Sequence, residues 1–124
     1  MMESAVIISL SGEPLYWHLP EGRTAGSIPD SNKLWSVIWE NRNNILGIAH
    51  THPGKGIPYP SWTDITTFDA CELGLGSKLL WWIFTEDNGA VFIKGNKKYE
   101  YNGKLLDKSI DEIPWLIELR KHSY

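Results

Sequence analysis

Residues 45–64, ILGIAHTHPGKGIPYPSWTD, constrain the fold more than any other stretch of the chain. The short apolar run reads as a strand over 45–49 that delivers His50 at its end. Alternate residues on a strand face the same side, so His50 and His52 point together and Thr51 points away. Residues 53–60 hold three prolines and two glycines, which makes them a shaped connection and not regular structure. Ser61 and Asp64 have the spacing of a capping box, with Ser61 at the N-cap and Asp64 reaching back from the third helical position. Strand end, tight loop and helix start are therefore expected side by side.

That arrangement is chemically suggestive. Two imidazoles ~6–7 Å apart along a strand can converge on one ion at roughly 2.0–2.1 Å per Zn–N bond. Asp64, returned by the loop, is the candidate third ligand. Two histidines, one aspartate and an open fourth position match a catalytic zinc site that activates water. The capping box accounts for Ser61 and Asp64 without a metal, but not for two inward-facing histidines across the same stiff loop.

The rest of the chain supplies one mixed α/β domain. Residues 5–10 read as a buried strand, Ser11-Gly12 as a two-residue hairpin turn, and 14–19 as the return strand. Asp30 or Ser31 can cap a helix through about Asn43, with Leu34, Trp35, Ile38 and Trp39 as its apolar stripe. A helix is expected over 61–74 and a doubly buried strand over 79–85. Asn88-Gly89 and Gly95-Asn96 then turn the chain into strands over 90–94 and 97–101. A last helix is expected over 113–122, with Pro114 in its first turn. The fold class is a single mixed sheet flanked by helices, spanning residues 1–124 as one domain.

Composition narrows the function. The chain has 124 residues, 42% hydrophobic and 22% charged, with a formal net charge of −3. No basic run favours nucleic acid or an anionic membrane. The longest apolar stretch, residues 79–84, is too short to span a bilayer, and the N-terminal residues lack a signal peptide's basic start, so a cytoplasmic protein is expected. The single cysteine excludes an internal disulfide and a multi-cysteine zinc site. Seven tryptophans mostly serve as core filling, with Trp62, inside the motif, the best candidate for an exposed contact.

The segment HTHPGKGIPYPSWTD resembles the signature of the JAMM metalloproteases, the MPN or JAB domain: His-x-His-Pro, a spacer, then Ser-x-x-Asp. Its Pro-x-Pro-Ser ending is most similar to the prokaryotic and RadC-like branches. Residues 53–60 place eight residues between His52 and Ser61, one more than that family's usual spacing. The order of elements is similar over most of residues 3–95. The resemblance implies an MPN/JAB-like fold, related to that of cytidine deaminases, and one Zn2+ held by His50, His52 and Asp64. It further implies a glutamate general base near the first strand and Ser61 as a hydrogen-bond donor to the developing oxyanion.

Glu3, Glu13, Glu21 and Glu40 are the available glutamates. A two-residue turn at Ser11-Gly12 puts Glu3 opposite Pro20, so that Glu3 and Glu21 share one end of the hairpin. Glu13 then lies about 23 Å away at the other end. The family's placement of its glutamate just before an apolar strand selects Glu3, with Glu21 the alternative. Cys71 lies ~10 Å along the helix from Asp64, too far to share the ion. His18 and His122 carry no ligand signal.

The implied activity is zinc-dependent hydrolysis of an amide or isopeptide bond, in a short peptide or at the tail of a ubiquitin-like protein. The alternative is a non-catalytic MPN-like metal-binding or protein-interaction module. A zinc deaminase would need His-x-Glu and a downstream Pro-Cys-x-x-Cys, which a chain with only Cys71 lacks.

Overall fold

Strands β1 (Ala5–Ser9) and β2 (Pro14–His18) form the opening hairpin, and helix α1 (Asn32–Glu40) precedes strand β3 (Ile45–Thr51). Helix α2 (Trp62–Leu75) leads to strands β4 (Leu80–Phe84), β5 (Gly89–Lys94) and β6 (Tyr101–Leu105), and helix α3 (Leu116–Lys121) closes the order. The computed structural model describes residues 1–107 and 112–124. The strands make one mixed sheet in the order β2-β1-β3-β4-β5-β6. Only the β3–β4 pair is parallel, with α2 as its crossover; every other neighbour pair is antiparallel. No helix among the described residues is long and apolar enough to cross a membrane.

Strand alternation divides the core into two layers. Ile7, Ile45, Trp81 and Ile83 pack with Val37 and Ile38 of α1 and Phe68 and Cys71 of α2 on one face. Val6, Ile8, Ala49, Trp82 and Phe84 meet Trp115, Leu116 and Leu119 at the α3 end on the other. The tryptophans follow suit: Trp81, Trp82 and Trp115 are buried, whereas Trp39 and Trp62 stand 56% and 63% exposed. Gly47 is needed for this packing, because a Cβ there would lie 2.0 Å from the Leu80 carbonyl oxygen.

Three local expectations are corrected. The first hairpin turns through Leu10–Gly12, with Ser9 N–H donating to the Glu13 carbonyl at 2.8 Å, instead of through a two-residue turn. A register shift between Ile7 and Ile8 absorbs the extra residue, so the outer pair Ala5↔His18 keeps the register of the shorter turn. The last strand begins at Tyr101 and not at Lys97, because Gly95 N–H already closes on the Glu100 carbonyl and Tyr99 turns at φ 63. Helix α1 ends at the Asn41 C-cap, earlier than its periodicity predicts, and α3 begins at Leu116 and not at Ile113, which leaves Pro114 in the turn before the helix.

Helix α2 carries two buried acids that its apolar pattern concealed, Asp69 and Glu72. Glu72 Oε2 accepts from Leu79 N–H at 2.7 Å and from the Trp81 indole at 3.1 Å, and Oε1 accepts from the Tyr101 hydroxyl. One carboxylate thus ties α2 to β4 and β6, and supplies the partner that a buried indole N–H requires.

Candidate metal centre

β3 continues to Thr51, so the pleat carries His50 onto the face that meets α2. His50 is buried and His52, one residue past the strand, is half-buried. The ring of His50 meets the edge of Phe68, which stacks on Trp81 at 4.2 Å between centroids. The connecting loop is lashed to the β4–β5 turn by three bonds. Glu86 N–H donates to the Gly54 carbonyl, Thr85 Oγ1 to the Gly56 carbonyl, and Gly56 N–H to Asp87 Oδ1. Gly54 and Gly56 sit at φ 120 and 108, backbone that other residues rarely adopt, so both turns in this loop favour glycine.

That helix presents Asp64 to both histidines. His52 Nε2 lies 3.0 Å from Asp64 Oδ2, and His50 Nε2 lies 3.4 Å from Asp64 Oδ1. The two imidazole nitrogens are themselves 3.0 Å apart. A tetrahedral ion with ~2.0–2.1 Å bonds has ligand–ligand edges of about 3.3–3.4 Å, and these separations, made to two different Asp64 oxygens, lie near that range. The donor chemistry fits as well, since imidazole and carboxylate are both ordinary zinc ligands. The capping box is present in full: Ser61 N–H donates to Asp64 Oδ2 at 2.9 Å and Asp64 N–H to Ser61 Oγ at 3.0 Å. Capping and facing the histidines are therefore compatible roles of one carboxylate.

Electrostatics follow the geometry. Burial works to raise the Asp64 pKa, but the hydrogen bonds from His50 and His52 outweigh it and hold the carboxyl well below the usual range. Burial likewise opposes a charge on His52, yet Asp64 outweighs that and keeps its pKa above the ordinary value. Glu3 moves the other way for an acid. Burial raises its pKa, and the nearby His50 and His52 only partly offset that.

Glu3 is placed beside the histidines by the β1–β3 ladder. Ala5 pairs with His50, so continuing the antiparallel register sets Glu3 across from His52. Its carboxylate oxygen and the two histidine ring nitrogens all lie within 4.8 Å of one another. The backbone is pinned there by Glu3 N–H donating to the Thr24 carbonyl at 2.7 Å and by Arg23 donating to the Glu3 carbonyl. Glu13, Glu21 and Glu40 are exposed, and none belongs to that cluster. The cluster does not include Cys71, whose thiol burial pushes up to about 12, nor His18, whose Nε2 lies 2.7 Å from the Pro29 carbonyl. His122 packs against Trp17 instead.

The sequence reading missed the support behind the site. Ser4 and Thr51, which alternate with Glu3 and His50, face the opposite layer and are fully buried. Ser4 N–H donates to Thr51 Oγ1 at 3.0 Å, Ser4 Oγ to the Leu119 carbonyl at 3.0 Å, and Ser123 Oγ contacts both hydroxyls. The same two-residue alternation that picked out His50 and His52 would have exposed Ser4 and Thr51; Ser123 carries no such signal.

Residues 4–96 match the family described as prokaryotic homologs of the JAB domain. The match begins immediately after Glu3 and ends before β6 and α3. A search of curated proteins finds no match.

Proposed function

The chain belongs to the family of prokaryotic JAB-domain homologs, and on that premise we propose that it is a zinc-dependent hydrolase of peptide or isopeptide bonds. The observation that carries the reading is the convergence of His50, His52 and Asp64, with the Glu3 carboxylate beside the two imidazoles. Zinc, when held by His50, His52 and Asp64, supplies Lewis acidity toward the scissile carbonyl and acidifies water to near neutrality. Glu3 accepts a proton from the attacking water and returns it to the leaving nitrogen as the C–N bond breaks, so a carboxylate and an amine are released. Ser61 uses its oxygen to accept from Asp64 N–H, which leaves its own O–H to donate to the carbonyl oxygen as charge develops. The substrate is a peptide or the tail of a ubiquitin-like protein.

Metal analysis and one substitution test this reading. Purified protein supplied with zinc should hold about one ion per chain, as three ligands and an open position require. Glu3→Gln keeps the shape and removes the proton acceptor. It should leave zinc content and melting temperature near wild type while turnover of peptide amides falls ~10²–10⁴-fold. Protein that binds no zinc overturns the metal centre. Protein that binds zinc but hydrolyses nothing is a metal-binding module, a role for which the exposed Ile57, Tyr59 and Trp62 around the motif would supply the contact surface.

A further inference from the structure

The candidate centre opens sideways into a cavity of about 450 Å³ that the hydrolytic chemistry does not use. Glu3, His50, His52, Asp64 and Ser61 stand at one end. Beyond them the floor is Ile7 and Ile48 of the sheet, and the walls are Leu34 and Ile38 of α1, Phe68 of α2 and Trp81 of β4. Residues 25–28 of the loop before α1 complete the enclosure. The buried histidine in this wall, His18, has its Nε2 occupied by the Pro29 carbonyl. The space falls within the ~300–1,000 Å³ typical of small-ligand pockets, and it has their composition, apolar walls with polar groups gathered where chemistry is placed.

Resting on the hydrolase reading, we infer that this cavity is a specificity pocket for a large apolar side chain, leucine or phenylalanine in kind, on the residue flanking the scissile bond. The inference follows from continuity and from solvation. A peptide whose carbonyl lies over His50, His52 and Asp64 has its neighbouring side chain within reach of Ile48 and Phe68, because these residues share β3 and α2 with the ligands. A glycine at that position would leave apolar walls against water or empty space, whereas a leucine or phenylalanine side chain removes that surface from water. Asp30 and His18 also line the space, so the selection drawn from the apolar walls is for size and apolar character and not against charge. The pocket therefore selects against small residues and against a tail that ends in glycines.

The test has one arm without zinc. N-acetyl-leucinamide, N-acetyl-phenylalaninamide and N-acetylglycinamide are titrated into metal-free protein and followed by amide chemical shifts. The apolar pair should bind at least about tenfold tighter than the glycine compound, the discrimination expected of burying such a side chain. Leu34→Trp, which fills the cavity from α1, should abolish the preference. Ala25→Trp, in the exposed loop wall, should weaken it without touching the core. Zinc-loaded protein should show the same order in kcat/KM for matched peptides. Equal or absent responses to leucine and glycine compounds in wild-type protein overturn the pocket, and so does a preference that survives both substitutions. Hydrolysis with no preference leaves the enzyme and removes the pocket; a preference in the metal-free arm without zinc binding or hydrolysis leaves the pocket and removes the enzyme.

Discussion

On the face of β1 and β3 that meets α2, Glu3, His50 and His52 gather with Asp64 at the edge of a cavity; on the opposite face Ser4 and Thr51, the residues between them, join Ser123 beneath α3. The two sets are interleaved in the same short segments and separated only by the pleat. Behind the sheet every hydroxyl finds a partner within the protein, since each can donate and accept. In front, nitrogen and carboxylate lone pairs converge on one point, a demand that a cation meets better than hydrogen bonds do. The back face is thus closed by its own hydrogen bonds, whereas the front face carries a group that could hold a metal, and the family match covers the strands of both but not α3.

The largest effect that would separate the faces is His52→Ala. Zinc affinity, read by chelator competition, should fall by more than the ~10–100-fold that losing a ligand's supporting partner costs. At a pH above the His52 titration the melting temperature of metal-free protein should hardly change, because His52 is then neutral and half-buried at a strand end. Leu119→Ala should behave in the opposite way. Leu119 is fully buried in the α3 layer, and its truncation should cost ~2–5 kcal/mol in denaturant unfolding while the folded protein still takes up zinc. If Leu119→Ala empties the metal site as thoroughly as His52→Ala, the hydroxyl cluster couples the two faces and the division fails.

The comparison sharpens with pH, because two histidines on different parts of the sheet are shifted in opposite senses. His52 is raised above its ordinary 6.5: burial opposes its charge, but the Asp64 carboxylate outweighs burial. Its contribution to metal-free stability is fully present below 6.5 and is lost as pH rises through the higher folded value. His18 is lowered by burial, against the Pro29 carbonyl, so the unfolded chain protonates first and stability is lost as pH falls below 6.5. Ring-proton titration of metal-free protein should therefore find His52 above and His18 below 6.5. Zinc requires neutral imidazoles, so zinc-loaded protein should instead gain stability as pH rises over the range in which His52 loses its proton.

The smallest effect is expected at Trp62, which stands 63% exposed with its ring 5.0 Å from that of Tyr99. Trp62→Ala should cost no more than the ~0.5–1.5 kcal/mol of an aromatic pair in unfolding, and should lower peptide turnover by a larger factor than that. A loss of several kcal/mol, the size of a buried aromatic, would move Trp62 from the rim of the front face into the core.

Local rules were enough to place His50, His52, Ser61 and Asp64 in the right elements, because strand alternation, proline and glycine loop chemistry and the capping box all act over a few residues. Hairpin geometry alone left Glu3 and Glu21 together and the family resemblance chose Glu3; the β1–β3 register, which joins Ser4 and Thr51 across 47 positions, is what sets Glu3 across from His52. The hairpin turn and the start of β6 were misplaced because a bulge and a φ of 63 at Tyr99 break the periodicities that sequence reading relies on. Nothing in the local pattern singles out Glu72 or Asp69 in α2, and only the packing of β4 and Tyr101 against that helix shows Glu72 buried and bonded. The cavity has no sequence signature at all. Its walls come from β1, β3, α1, α2 and β4, elements whose mutual distances are set by long-range packing, so what the residues are was written locally and the space between them was decided by the tertiary fold.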